Sequence, residues 1–376
     1  MGKWYRLAGV VVLIAVILGG VRACQLANQR PLATPESTAD DTAEAGLTLK
    51  DVTLEQPDEN GNLLWRVHAD EVTYSPDQKV AKVTNPDGEL FQDGQVIYRV
   101  KADRGEVRQD GKSIFLKDNI LATGVQNKIV LKGQELEWQP ELDLMTVRNQ
   151  ITGTHSQLKA AAQSAKIYNR ENRLELDQNV VANTTEAPFL RMEAEKLTWL
   201  INEEQVRSDR QIKVEQLKDN QVSDRVIGQQ GEVDLAEKVV QLTEDVKLEL
   251  LELPLEIFSQ VAIWNVEQAQ VVIPAALQAN QPQQKVQISA SRGELNLDQQ
   301  IVYLTQGVNI VEGQQSQLQS DSVTWNLDSQ QVVAEGNVNY QQSEPPVQVR
   351  GPRAVGQLDE ETIVISGGRV VTEITP

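Results

Sequence analysis

A single cysteine, Cys24, is all that this 376-residue chain contains, so no disulfide can form within it and its stability must come from packing and backbone hydrogen bonds. That scarcity leaves the compartment open. Histidine is nearly absent too: His68 and His155 lie 87 residues apart with no cysteine near either, which gives neither the ligand spacing of a zinc site nor a nucleophile and its base, and each reads as a surface residue. Aromatic residues make up 4% of the chain, so Val, Leu and Ile must fill most of the interior, which suits a long thin sheet better than a thick globular core. Positive charge is also short. With 35 Lys and Arg against 54 Asp and Glu the formal charge is −19, and such a surface repels nucleic acid. The acidic residues are scattered, with no calcium-loop spacing, no nucleophile motif and no phosphate loop. An enzyme is not expected, nor a metal or a cofactor.

What the chain does have is a period. Small residues recur at Ala69, Ala102, Gly133, Ala162, Ala194, Gly228, Ser259, Ala290, Ser320 and Gly351, 29 to 34 residues apart, the range of a stacked array. Two positions before each anchor stands an apolar residue, from Val67 and Val100 to Leu318 and Val349. Three and five positions after it come pairs such as Val72 with Tyr74, Leu136 with Trp138 and Leu197 with Trp199. A short polar turn follows, as in Asn169-Arg170-Glu171-Asn172, and then a second strand with apolar pairs such as Ile114, Leu116, Ile120 and Ala122. The spacing of two within each pair is that of a strand, and no stretch sustains a helical spacing. Each unit is therefore two strands.

Passing from the anchor to three residues beyond it flips the apolar set to the other face, so a bend or bulge must intervene. In the second strands the interval holds Asp118-Asn119, Gln306-Gly307 or Gly336-Asn337, which are bend residues. The expectation is an all-β fold in which every strand bends at one level, giving two facing sheets with an apolar interior. Two blocks, residues 47–250 and 251–376, are expected, with a joint over 251–284 where Pro254, Pro274 and Pro282 weaken pairing; stacking can also run through with only a bend.

Residues 7–21 form the one long apolar run, preceded by Lys3 and Arg6 and by Trp4 and Tyr5. Extended to residues 4–26, with Arg22 reaching to the interface, it is long enough for a membrane anchor with a cytoplasmic N-terminus. The rival is a cleaved signal ending at Val21-Arg22-Ala23-Cys24, against which Arg22 argues. Residues 27–46, including PLATPESTADDTAEA, read as a flexible linker.

The motifs Ala194-Glu195-Lys196-Leu197-Thr198-Trp199 and Ser320-Asp321-Ser322-Val323-Thr324-Trp325 resemble the repeats of the lipopolysaccharide-export bridge family, and the anchor before them resembles its membrane-tethered LptC branch. The resemblance implies an elongated, open, V-shaped β-jelly roll that is periplasmic and held at the inner membrane. It implies lipopolysaccharide or a related lipid as cargo, an inner-membrane ABC transporter of LptBFG type behind, and a soluble LptA-type bridge or an outer-membrane acceptor ahead. Ten units are roughly twice what a single-lobe member needs. Groove-lining residues are then expected at one offset: Tyr74, Val107, Trp138, Ile167, Trp199, Val233, Trp264, Leu295 and Trp325. Tryptophan falls in alternate units, which also fits simple filling of the wider part of a tapered interior. Partner strands are expected at two edges, near Val52, Leu54, Trp65 and Val67 and near Ile363, Ile365, Val370 and Ile374. The alternative is a membrane-tethered structural stalk without lipid; an enzymatic β-solenoid lacks the necessary carboxylate cluster.

Overall fold

The computed structural model describes residues 47–108, 113–252, 255–281, 285–313, 315–358 and 362–374. The expected anchor at 4–26 and linker at 27–46 lie outside them, and among the described residues no helix is long and apolar enough to cross a membrane. The described chain is all-β: 28 strand segments pair antiparallel, and one 3-10 turn occurs at Pro140–Leu142.

Strand Leu63–Tyr74 shows how the segments combine. Its residues 65–68 pair with Asp87–Gln92, and its residues 71–74 pair with Val80–Thr84. Those two segments are therefore the arms of one strand, broken at Asn85 and Pro86, where proline has no N–H to give a ladder and Asn85 takes a φ of 50°. The same division recurs along the array, so every strand contributes one arm to half-sheet I, which contains residues 65–68, and one to half-sheet II, which contains residues 71–74. Among the described residues every ladder joins strands that are neighbours along the chain.

The inferred bend is present, and it is made in two ways. Six strands running from II to I place two successive residues in the left-handed region, Asp118 with Asn119, Asn149 with Gln150, Gln178 with Asn179, Glu244 with Asp245, Gln306 with Gly307 and Gly336 with Asn337, while three others break at 85–86, 209–211 and 274–276. Short polar side chains and glycine tolerate this conformation best, although Gln and Glu also serve here. Where a left-handed pair occurs, the facing strand that runs from I to II shifts register against it, as between Ala161 and Ser164 or between Gln319 and Ser322, and the extra residue lies on the strand with the left-handed pair. Burial follows the flip: Val67 and Ala69 are inside before the bend, and Val72 after it.

The bend also explains the small anchors. A Cβ on Gly133 would lie 2.7 Å from Val147 Cγ1, so this side of the interior has no room for a larger residue. Residues 251–254 do not interrupt the stack: Val239–Leu250 pairs with Leu255–Asn265 from Val239 opposite Asn265 to Leu250 opposite Leu255. By their contacts the described residues from 47 to 374 belong to one compact unit.

Candidate functional site

The interior is organised in rows that cross the strands. In half-sheet II the row at the tryptophan offset runs from Tyr74 through Ala81, Val107 and Ile114 to Trp138, and on through Met145, Ile167 and Leu174 to Trp199. It continues through Val206, Val233 and Val240 to Trp264, and through Val271, Leu295 and Val302 to Trp325. All nine residues expected at this offset thus stand on one ladder. Tyr74, at its start, is half-buried; the other eight are buried, with Trp138, Trp264 and Trp325 each 1% exposed. Half-sheet I carries a matching row two positions before the anchors, including Val67, Val100, Leu131, Met192, Val226 and Leu318.

Volume explains why tryptophan alternates. Three positions past the anchor, four units without tryptophan carry Gly105, Ala165, Gly231 and Gly293, whereas three of the four tryptophan units carry Leu136, Leu197 and Val323 there and the fourth, with Trp264, carries Ala262. Leu116 fills the space beside Gly105, with its Cδ2 2.8 Å from where a Cβ would stand. Small and large residues therefore complement each other across neighbouring strands, which makes two units the packing repeat.

One long side of this interior is the covalent bend. The other is a mouth between two lines of turns, and among the described residues no ladder joins them. Side chains cross it. Gln92, on the half-sheet I side, donates to Asp143 Oδ1 at 2.6 Å and accepts from Asn169 Nδ2 at 2.5 Å, both on the half-sheet II side. Asp143 Oδ2 accepts from the Arg170 N–H at 2.7 Å, and Arg170 lies 3.4 Å from Asp93. Burial raises the Asp143 carboxyl above its usual range, partly offset by the Arg170 N–H and charge. Beside it burial pushes the Tyr98 phenol up to about 12, and Asn127 donates to its oxygen at 2.7 Å.

Further along, His155 reaches from the half-sheet I side to the edge of Trp199, ring centres 5.0 Å apart, so it is a mouth contact rather than the surface residue expected. Burial lowers its pKa, opposed by Glu204. His68 is exposed, 3.4 Å from Asp51. Behind His155 an apolar cavity of about 20 Å³ lies between Leu131, Leu158 and Ala160 on one side and Leu174, Leu197 and Trp199 on the other. A second, of about 80 Å³, lies near the C-terminal end between Ile310, Leu318 and Tyr340 and Val332, Ala354 and Ile363.

Two sets of mouth residues were missed by the sequence reading. The polar crossing Gln92, Asp143, Asn169 and Arg170 joins turns far apart in sequence, and no periodicity announces it. The second set had a signal: seven positions after the anchor, inside turns read as polar, stand Ile201, Leu235, Val266, Leu297, Leu327 and Leu358. Four of them, Ile201, Leu235, Val266 and Leu327, are buried and face inward.

At the N-terminal end the outermost strand is Thr48–Pro57, in which Val52 and Leu54 are partly buried against the core. Trp65 and Val67 lie one strand further in, since Leu63–Tyr74 is paired on both sides; the unpaired backbone belongs to Thr48–Pro57 alone. At the other end Thr362–Ser366 and Val371–Ile374 are the last arms, with Ile363 and Ile365 against the core, Ile374 paired to Val347 and Val370 exposed. Large apolar side chains are left exposed at both ends: Leu47 and Leu49 at the first, Val364 and Val371 at the last. Among the described residues no group of His, Cys, Asp or Glu is placed to hold a metal ion.

No curated protein sequence is significantly similar to this chain. A solved structure similar to part of it is LptH of Pseudomonas aeruginosa, described as the LptA-homologous periplasmic component of the conserved lipopolysaccharide transport device. It is 11% identical with a TM-score of 0.28, and the match covers 31% of this chain and 82% of LptH. The model of the family described as "Lipopolysaccharide-assembly, LptC-related" matches three times, at residues 11–154, 131–249 and 261–373. With most of its length matched, the chain belongs to this LptC-related lipopolysaccharide-assembly family.

Proposed function

We propose that this chain is a periplasmic lipopolysaccharide-transport component, tethered at the inner membrane through residues 4–26, which shields acyl chains between its half-sheets. The observation that supports this best is the pair of unbroken apolar rows facing each other along the array, with one margin covalent and the other held by side chains. Opening that mouth disturbs packing and a few polar contacts but breaks no ladder. Burying about 0.8 kcal/mol per methylene makes a dozen-carbon chain worth roughly 10 kcal/mol, enough to reward such opening. Near-identical units offer a series of similar binding energies, so passage along the row need not climb steeply.

In this reading an ABC transporter delivers lipid at the Thr48–Pro57 edge. The edge formed by Thr362–Ser366 and Val371–Ile374 passes it to a soluble bridge or outer-membrane acceptor by strand addition. A photoreactive residue at Trp199 or Val233 should capture lipopolysaccharide during transport, whereas labelling from the outward Lys196 alone would contradict the proposal.

The filled interior favours a second reading, a structural stalk: Trp138, Trp264 and Trp325 leave almost no surface uncovered. Lipid that co-purifies with the wild-type chain and is lost when Val233 and Leu295 are both replaced by Trp separates the two, since a stalk carries none.

A further inference from the structure

The indole N–H groups of Trp65, Trp138, Trp199, Trp264 and Trp325 are all buried without a hydrogen-bond partner. A buried donor left unpaired is costly, and purely apolar residues serve the same row between them: Ile167, Val206 and Leu295 are as well buried and carry no donor. Four of the five tryptophans stand on a single ladder. From Trp138 to Trp199, from Trp199 to Trp264 and from Trp264 to Trp325 there are four strand steps each, about 19 Å at 4.8 Å per strand.

Their depth is informative as well. Each of Trp199, Trp264 and Trp325 lies one inward position behind a turn residue at the mouth, Ile201, Val266 and Leu327, and in front of the Leu, Val and Ala rows that lead to the bend. A lipid entering tail-first with its headgroup in water places its tails along those inner rows. The bonds that link tails to headgroup then sit at the level of the indoles.

We propose that these indoles are a line of hydrogen-bond donors for oxygens within an acyl lipid, its ester carbonyls and chain hydroxyls. The inference rests on the carrier reading and narrows it, because bare hydrocarbon has nothing to offer the N–H groups. Loading pairs donors that the empty protein leaves unpaired, and a cargo moving along the row meets the same donor again after every two units.

The test uses the full-length chain in nanodiscs of ether-linked phospholipid, with methyl myristate and an alkane of matched length as probes. Resonance Raman scattering from the indole mode sensitive to N–H hydrogen bonding reads the donors directly in the wild-type protein. Before a probe is added the band should report unpaired indoles, and methyl myristate should move it to the hydrogen-bonded position while the alkane does not. The ester should also bind about two- to tenfold more tightly than the alkane, the range of one hydrogen bond. The triple variant Trp199→Phe, Trp264→Phe and Trp325→Phe should lose that preference while still binding the alkane. Equal affinities with an unmoved band overturn the inference and leave the carrier intact. A band already in the hydrogen-bonded position before a probe is added, which assigns the donors to buried water, does the same. If neither probe nor lipopolysaccharide binds, both the inference and the carrier reading fall.

Discussion

From seven of the ten anchors to the left-handed residue that ends the next half-sheet II turn there are ten residues: Gly133 to Asp143, Ala162 to Asn172, Ala194 to Glu204, Gly228 to Lys238, Ser259 to Ala269, Ala290 to Gln300 and Ser320 to Gln330; in the first unit, Ala69 to Gln78, there are nine. On the half-sheet I side the turns range from two residues, Asp219 and Asn220, to the five of 125–129. The spread of 29 to 34 in the repeat is therefore taken up mostly on the half-sheet I side, in its turns and in arms as long as 212–218 and 221–228, with a further residue at bends such as 209–211. Hydrogen bonding explains the constancy of the other. Five of these seven turns are tied to the preceding one by a backbone bond from the first residue to the left-handed residue before it: Ile201 N–H to Asn172, Leu235 to Glu204, Val266 to Lys238, Leu297 to Ala269 and Leu327 to Gln300. An extra residue would break two such links at once. Half-sheet II is thus a fixed rail that keeps the tryptophan row in line, and half-sheet I is the adaptable lip.

The largest effect that sharpens this contrast is loss of bulk from the rail. Trp264→Ala should lower unfolding stability by about 3–5 kcal/mol, measured by denaturant titration, because the space it leaves is surrounded by paired strands. An insertion breaks the comparison more selectively. One glycine placed after Asp298, in the rail, should cost about 1–3 kcal/mol, whereas one placed after Glu344, in the lip, should change stability by less than about 0.5 kcal/mol. Equal costs would remove the distinction between the margins.

Turn capping gives a smaller effect. Asn296 accepts the Gln299 N–H at 2.8 Å and Asn326 the Ser329 N–H at 2.8 Å, so Asn296→Ala should cost about 1 kcal/mol by thermal unfolding. The smallest shift concerns Asp224 on the lip. Burial raises its pKa, offset by the Ser223 hydroxyl, and the carboxylates of Glu252 and of Asp298 on the rail raise it further. Since the folded value lies above the unfolded one, its charge weakens the fold at neutral pH, and that penalty fades as pH falls through the folded value. Asp224→Asn should accordingly raise the unfolding midpoint at pH 7 and leave it unchanged in acid where both side chains are neutral.

The contrast also accounts for what could be read from the sequence. The strand period, the bend at Asp118-Asn119 and Gln306-Gly307 and the line of nine residues from Tyr74 to Trp325 follow from offsets that the rail holds constant. The polar crossing at Gln92, Asp143 and Asn169 was invisible because it spans the mouth between turns of unlike sequence, one of them on the variable lip. His155 was misread for the same reason: its partner Trp199 belongs to the opposite margin. Leu235 and Leu327 were legible at a constant offset but were hidden inside turns that are otherwise polar.

The central claim is that the mouth opens to let an acyl chain in. In a Cys24→Ser background, cysteines at Gln92 and Asn169, and in a second variant at His155 and Glu204, can be joined across the mouth by a short cleavable thiol linker. Lipopolysaccharide transfer from donor membranes through the full-length chain should stop when either bridge is closed and return when it is cleaved. Transfer that continues unchanged with both bridges closed would contradict the account.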